Sequence, residues 1–404
     1  MRLPSNRFFK QLIFFLFILF LPTQFGKHFF PAFSYINGVK IDYLSPTLYT
    51  TDIFAGILIF LYRKELIQKI KNLHFTFIGI LLILILHALF SPFPLLSLYG
   101  VFKIIELVFI FFVAQHISHP KLILSAFFLG GITELSLAII QLSTHASLQG
   151  FFYLLGERYI SLSHPGIATA SLLGKTFLRP YGTFSHPNSL GGFYLLVYTY
   201  ILTHIPFRQS FRLYTVSSFI FTALIFISFS KISILTYMVI TFFYAVRYMK
   251  IQCVLCAIAR TITLIILSFI FLSSQSDPLS LEKRAILFVN GVTLIKNHFL
   301  WGVGLGHYLI SQVQFNSSYR YFFLQPVHNI IILFFAQTGI IVGLILTIPL
   351  FKKSIQYWKK PAFLFCIVAV FITGMFDHYW LTLQQNWLLA GMIFGFSTNS
   401  YLNN

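Results

Sequence analysis

VHNIIILFFAQTGIIVGLILTIPL, residues 327–350, runs for 24 residues without a charged side chain. A helix of that length rises about 36 Å, enough to cross the roughly 30 Å hydrocarbon core of a bilayer, so the stretch reads as a transmembrane helix. The chain on both sides repeats the pattern. Of its 404 residues 57% are hydrophobic and 9% charged, and the mean hydropathy is +0.83, which leaves too little polar surface for a soluble protein of this size. Apolar runs bounded by charge, Pro or Gly lie near 9–27, 47–62, 73–90, 95–115, 121–142, 188–205, 213–229, 232–246, 256–272, 327–350, 362–376 and 383–397. The expectation is an all-α polytopic membrane protein with about twelve transmembrane helices, a single integral membrane domain over 1–404. The first run follows Arg2, Arg7 and Lys10 as a signal peptide would, but no small-residue cleavage site comes after it, so it reads as a retained helix.

With both termini cytoplasmic, seventeen of the 28 Lys and Arg fall on the cytoplasmic side, ten on the outer side, and Lys103 inside a span. That bias is what the positive-inside rule demands. It also accounts for most of the +19 net charge, which in a soluble chain would suggest nucleic acid and here needs none. The long connections, 28–46, 143–187 before helix six and 273–326 before helix ten, all face outward in this topology. Long segments in a compact protein carry function, so the working surface is expected outside the cytoplasm.

Several chemistries lack their residues. The outward carboxylates are Asp42, Asp52, Glu157, Asp277, Glu282 and Asp377, with no Asp-x-Asp pair to hold a hard divalent cation. Walker-type, Gly-x-Ser-x-Gly and His-Glu-x-x-His motifs are absent. Cys253 and Cys256 form one isolated Cys-x-x-Cys, short of the four ligands a structural metal takes. Gly302, Gly304 and Gly306 in WGVGLGHY read as a tight backbone bend, since no nucleotide-binding strand precedes them.

What remains is cationic. The stretch before span six concentrates Glu157, Arg158, Lys175, Arg179, His186 and Asn188. Arg179 offers a planar fork that matches phosphate oxygens; its alternative is an interfacial anchor snorkelling to the headgroups. His186 and Asn188 also read as a cap on the next helix. In the last large loop Arg284 opens a segment with apolar residues at Ile286, Val289, Val292 and Ile295, the pattern of a helix lying on the membrane surface. His328 and Asn329 begin span ten, and Asp377 and His378 lie between the last two spans, where the acid can orient an Arg or a His. Within the spans, Lys103 and Glu106 stand three apart as an ion pair, while Glu134 lacks an obvious partner, as an ion site in a transporter would.

Three segments together resemble one family: RPYGTFSHPNSLGGFYLL (179–196), RAILFVNGVTLIKNHFLWGVGLGHY (284–308) and HNIIILFFAQTGIIVG (328–343). In this order they are similar to the O-antigen ligase and polymerase superfamily of bacterial envelope glycan assembly, and IDYLSPTLYTTDIFAGILIF (41–60) resembles its second-span region. The resemblance implies a GT-C-like polytopic glycosyltransferase of the bacterial cytoplasmic membrane with an extracytoplasmic active site. It implies a glycan donor on undecaprenyl or a related polyprenyl diphosphate, an acceptor hydroxyl on lipid A core or another glycan, contact with membrane lipid, and neither metal nor cofactor. The family's essential residues fall on Arg179, Arg284 and His328, with Arg158, His186, Asn188, Gly304, Asn329, Asp377 and His378 expected around the substrates. One position departs: many relatives carry Glu where this chain has Gln337.

That resemblance implies a reaction. The two Arg hold the charge that develops on the departing diphosphate, His328 takes the acceptor proton, and a single displacement inverts the anomeric centre. The polymerase branch, which joins lipid-linked repeat units, is the near alternative. A secondary transporter or flippase is the distant one, with Glu134 and the Lys103/Glu106 pair as its candidate sites.

Overall fold

A computed structural model describes residues 6–117, 119–164, 166–172, 174–204, 211–248, 262, 264–269, 271–274, 279–315 and 324–398. The Cys253/Cys256 pair and about half of the expected span at 256–272 lie outside them.

The described chain is mostly helical, with three small two-stranded antiparallel sheets, two of them hairpins. Each of the other expected spans carries a helix. Three helices are long and apolar enough by themselves to cross a membrane: Pro94–Ala114, Pro120–Thr144 and Ile330–Tyr357. A fourth is added if Arg63–Lys71 and Phe75–Leu89, bent by 96°, form one broken span. Thr50–Leu61, Phe211–Ile227 and Pro361–Gly374 are apolar but shorter. Their outer faces expose large apolar side chains such as Phe60, Phe75, Leu95, Phe219 and Phe371, which suits insertion in lipid.

Helix starts follow local rules. Proline opens Pro94–Ala114, Pro120–Thr144, Pro187–His204 and Pro361–Gly374, where its missing N–H costs nothing. Asn329 caps Ile330–Tyr357, its Oδ1 accepting from Ile331 N and Ile332 N at 3.0 Å each.

The centre of the molecule is Pro187–His204, buried on every face from Pro187 to Ile201. It packs against Phe211–Ile227, Lys231–Tyr248, Pro361–Gly374 and Gln384–Thr398. A second core joins Ile36, Ile41 and Leu44 of the first long connection to Leu294, Tyr308, Leu333 and Ala336. The helix Leu279–Asn297 therefore docks on Ile330–Tyr357 through Leu287, Gly291 and Leu294. The expected stripe of Ile286, Val289, Val292 and Ile295 is split: Val292 and Ile295 pack against this core, while Val289 is 61% exposed.

The Gly-rich run does bend, with positive φ at Gly302, Gly304 and Gly306. It is laced to a break in the long helix at Gly339, whose φ is 62° and ψ −177°. Val303 N donates to Ala336 O at 2.9 Å, Gly304 N to Gln337 O at 3.0 Å and Ile340 N to Phe299 O at 2.8 Å. Backbone groups freed by the break thus find partners inside protein, as they must where lipid offers none. A Cβ on Gly302 would collide with the backbone of Gln337 and Gly339, so only glycine fits. Gln337 closes the lacing by accepting from Gly306 N through Oε1 at 2.9 Å, a contact that a Glu carboxylate makes equally well.

Candidate functional site

The expected functional residues converge through the segment that precedes Pro187–His204. Strands Thr169–Leu172 and Lys175–Leu178 pair as a hairpin, and Arg179 leaves it with its N–H on Ala168 O at 3.1 Å. The turn that follows is held from below by Pro120–Thr144. Gln141 Oε1 accepts from Tyr181 N and Gly182 N at 2.9 Å each, and Glu134 accepts from Thr183 N at 2.9 Å and from Thr183 Oγ1 at 2.5 Å. Gly182 sits at φ 59°, and a Cβ there would strike Glu134 Oε2. Glu134 thus has partners that the sequence did not reveal: it shapes the Arg179 turn. Glu157, also buried, receives Gln141 Nε2 and Leu148 N at 2.8 and 2.9 Å.

Arg179 is 91% buried, at 9% exposure, and its charge meets only neutral oxygens. Nε and Nη2 donate to Ser228 O at 3.1 and 3.0 Å, and Nη2 donates to Asn188 Oδ1 at 2.6 Å. Among the described residues Nη1 has no partner and no carboxylate is within ion-pair distance. Asn188 passes the contact on, its Nδ2 donating to Asp377 Oδ2 at 2.8 Å. Asp377 Oδ1 lies 3.3 Å from His328 Nδ1 and accepts from His378 N at 2.8 Å. Arg179, Asn188, Asp377 and His328 form one line from three distant parts of the chain.

Helix ends place the His-Asp pair. Asn329 caps its own helix and also donates Nδ2 to Met375 O at 3.1 Å, tying the start of Ile330–Tyr357 to the end of Pro361–Gly374. Asp377 and His378, just beyond, are then set beside His328, with the His328 and His378 rings 5.2 Å apart. Arg284, half-buried, donates Nη1 to Phe376 O at 3.3 Å and so reaches the same end of the bundle. His186 Nδ1 accepts from Asn188 N at 3.1 Å. Arg158 is exposed and donates Nη1 to Ser185 O at 3.2 Å, on the rim. Gly304 is not brought to this cluster by any contact; it packs under Ser91 and His307 in the laced bend.

The electrostatics favour an anion beside a base. Burial lowers the Arg179 pKa to about 10, which leaves it charged at neutral pH. Burial pushes Asp377 upward, but His328, His378 and His186 around it outweigh that and hold it well below the usual carboxylate value. His186 and His378 are pushed down to about 3, chiefly by burial, so both are neutral at physiological pH. Two guanidinium groups and one carboxylate leave the cluster net positive. His328, Asp377 and His378 each offer one metal-ligand atom within 4.8 Å of the others.

Reasoning from sequence missed Ser228, whose carbonyl is a backbone group without residue-type signal. It also missed the Glu134–Gln141 clamp, although seven-residue spacing put both on one helix face. The Lys103–Glu106 pair is present at 3.4 Å, but Asp52 lies closer to the ammonium, at 2.7 Å. No protein-family model and no curated protein matches the chain.

Proposed function

We propose that the chain is a twelve-span glycosyltransferase of the O-antigen ligase kind. It would move a glycan from a polyprenyl diphosphate to an acceptor hydroxyl, on lipid A core or another envelope glycan, at the outer face of a bacterial cytoplasmic membrane. The observation that carries the reading is the buried Arg179 guanidinium, met only by neutral oxygens and joined through Asn188 to an Asp-His pair. A buried cation without a carboxylate has charge left for a ligand, and a phosphate ester supplies the match.

The residues divide the work. Arg179 and Arg284 hold the diphosphate as the anomeric C–O bond breaks and negative charge grows on the leaving oxygen. One such preorganised donor in a dry site contributes about 3 to 4 kcal/mol. Asp377 fixes the His328 ring by accepting a hydrogen bond from Nδ1–H, so Nε2 presents its lone pair to the acceptor hydroxyl. His328 takes that proton as the acceptor oxygen attacks the face opposite the diphosphate, and the anomeric configuration inverts. Neither metal nor nucleotide has a part in this sequence.

Reconstitution tests it. The full chain in liposomes with a polyprenyl-diphosphate glycan and an acceptor should give glycosylated acceptor and free diphosphate carrier. Deletion of the gene should remove long chains from the acceptor while polymer accumulates on the carrier. Single repeat units on the acceptor would instead indicate the polymerase branch, and an unchanged envelope glycan would end the proposal.

A further inference from the structure

The orientation of His378 is not explained by proton transfer at His328. When Thr382 gives its hydroxyl proton to His378 O, 3.2 Å away, the 2.8 Å contact between Thr382 Oγ1 and His378 Nδ1 is made with the ring nitrogen as donor. The lone pair of the neutral ring is then on Nε2. That atom makes no hydrogen bond among the described residues and stands 3.9 Å from Asp377 Oδ1, a second electron-rich atom. Two acceptors facing each other inside protein repel, unless a cation joins them.

We propose that His328, Asp377 and His378 form a binding site for a borderline divalent transition ion of the zinc type, and that occupancy switches His328 off as a base. The ligand set of two imidazoles and one carboxylate with room for water is one such ions take. A tetrahedral ion with bonds of about 2.1 Å holds its ligand atoms about 3.4 Å apart. His328 Nδ1 and Asp377 Oδ1 already stand at 3.3 Å, His378 Nε2 stands 3.9 Å from that oxygen, and all three atoms lie within 4.8 Å of one another, so the His378 ring moves inward to complete the set. The surrounding bonds hold the ligands in place: Thr382 orients His378, and Asn188 holds the other Asp377 oxygen at 2.8 Å. Arg179 and Arg284 oppose an incoming cation, so binding is reversible rather than structural.

The consequence for transfer rests on the reading of His328 as the base. An ion on Nδ1 takes that nitrogen's lone pair, and the proton Nδ1 held passes through solvent to Nε2. The imidazole stays neutral, but the nitrogen facing the acceptor has become a donor. It can no longer accept a proton.

The test uses the purified full chain in detergent, stripped with chelator. Titration with Zn2+ by calorimetry should show one ion per chain, and Co2+ should give the visible absorption of a low-coordinate nitrogen and oxygen site. Thr382→Val should weaken Zn2+ binding about tenfold, and His378→Gln by more. Melting curves check that each variant folds; should His378→Gln fail, Thr382→Val reads the same site through the ring it orients. Zn2+ should suppress glycan transfer by the wild type, and chelator should restore it. Absence of a stoichiometric ion, or binding unchanged in both variants, overturns the site and leaves the transferase reading standing. Binding at the site without loss of transfer overturns the switch and removes His328 as the base.

Discussion

The molecule buries charge in two places and treats it in opposite ways. Around Lys103, Asp52 lies at 2.7 Å and Glu106 at 3.4 Å, and Gln384 donates to both carboxylates. Every charge there has a partner within the protein, and the cluster joins Thr50–Leu61, Pro94–Ala114 and the start of Gln384–Thr398. Around Arg179 the partners are a backbone carbonyl and an amide oxygen, while the nearest acid is committed to His328. The first cluster is closed and holds helices together. The second is open, and its unspent charge is what a ligand would neutralise. Burial alone therefore does not distinguish a structural ion from a functional one; the identity of the partner atoms does.

Substitutions at the open cluster should alter chemistry, and the largest losses belong to the His-Asp pair. His328→Ala, and Asp377→Asn through the wrong ring tautomer, should each lower the transfer rate by about a hundred- to ten-thousandfold while the protein still inserts and melts as a folded species. Normal turnover by either variant would remove that residue from the reaction. Next, Arg179→Ala should cost about a hundred- to a thousandfold in kcat, with Arg179→Lys intermediate because it keeps charge but loses the fork. Equal activity for Lys and Ala at this position would mean that charge is not what Arg179 supplies.

At the closed cluster the expected loss is stability. Lys103→Met leaves Asp52 and Glu106 buried without their cation, and should destabilise the chain by about 3 kcal/mol or more, read as a lowered melting temperature. Transfer per folded molecule should be unchanged; loss of function here while Arg179 and His328 prove dispensable would favour a transport role.

The smallest effect is in pH. His186 and His378 have folded-state pKa values of about 3 against an ordinary 6.5, so unfolding takes up protons that the folded chain refuses. Their contribution to stability is complete above about pH 6.5 and is lost as pH falls toward 3; Asp377, held low, loses its share at the acid end of that window. Melting temperature should fall between pH 7 and 4.5, and fall less in His378→Gln. A flat profile would contradict the burial of these rings.

Much of the site was legible because its residue types are expensive to bury. Arg179, His328, Asp377 and Asn188 stand out in a chain with 9% charge, and the three segments that resemble a ligase contain most of them. What was not legible is contact. Glu134 lacked a partner in sequence, yet Thr183, 49 positions later, satisfies both of its oxygens. Lys103 was paired with Glu106 because spacing on one helix is visible, whereas Asp52 reaches it from another helix.

Sequence by itself determined that the chain is rich in apolar helices suited to a membrane, where those helices start, and which side chains are costly to bury, because hydropathy, proline and cap residues act locally. Only the tertiary structure decided which of those charges are spent. Whether a buried Arg meets a carboxylate or a carbonyl, and whether two histidines share one acid, depends on helix ends separated by up to two hundred residues. Packing brings those ends together, and no local pattern in the chain records it.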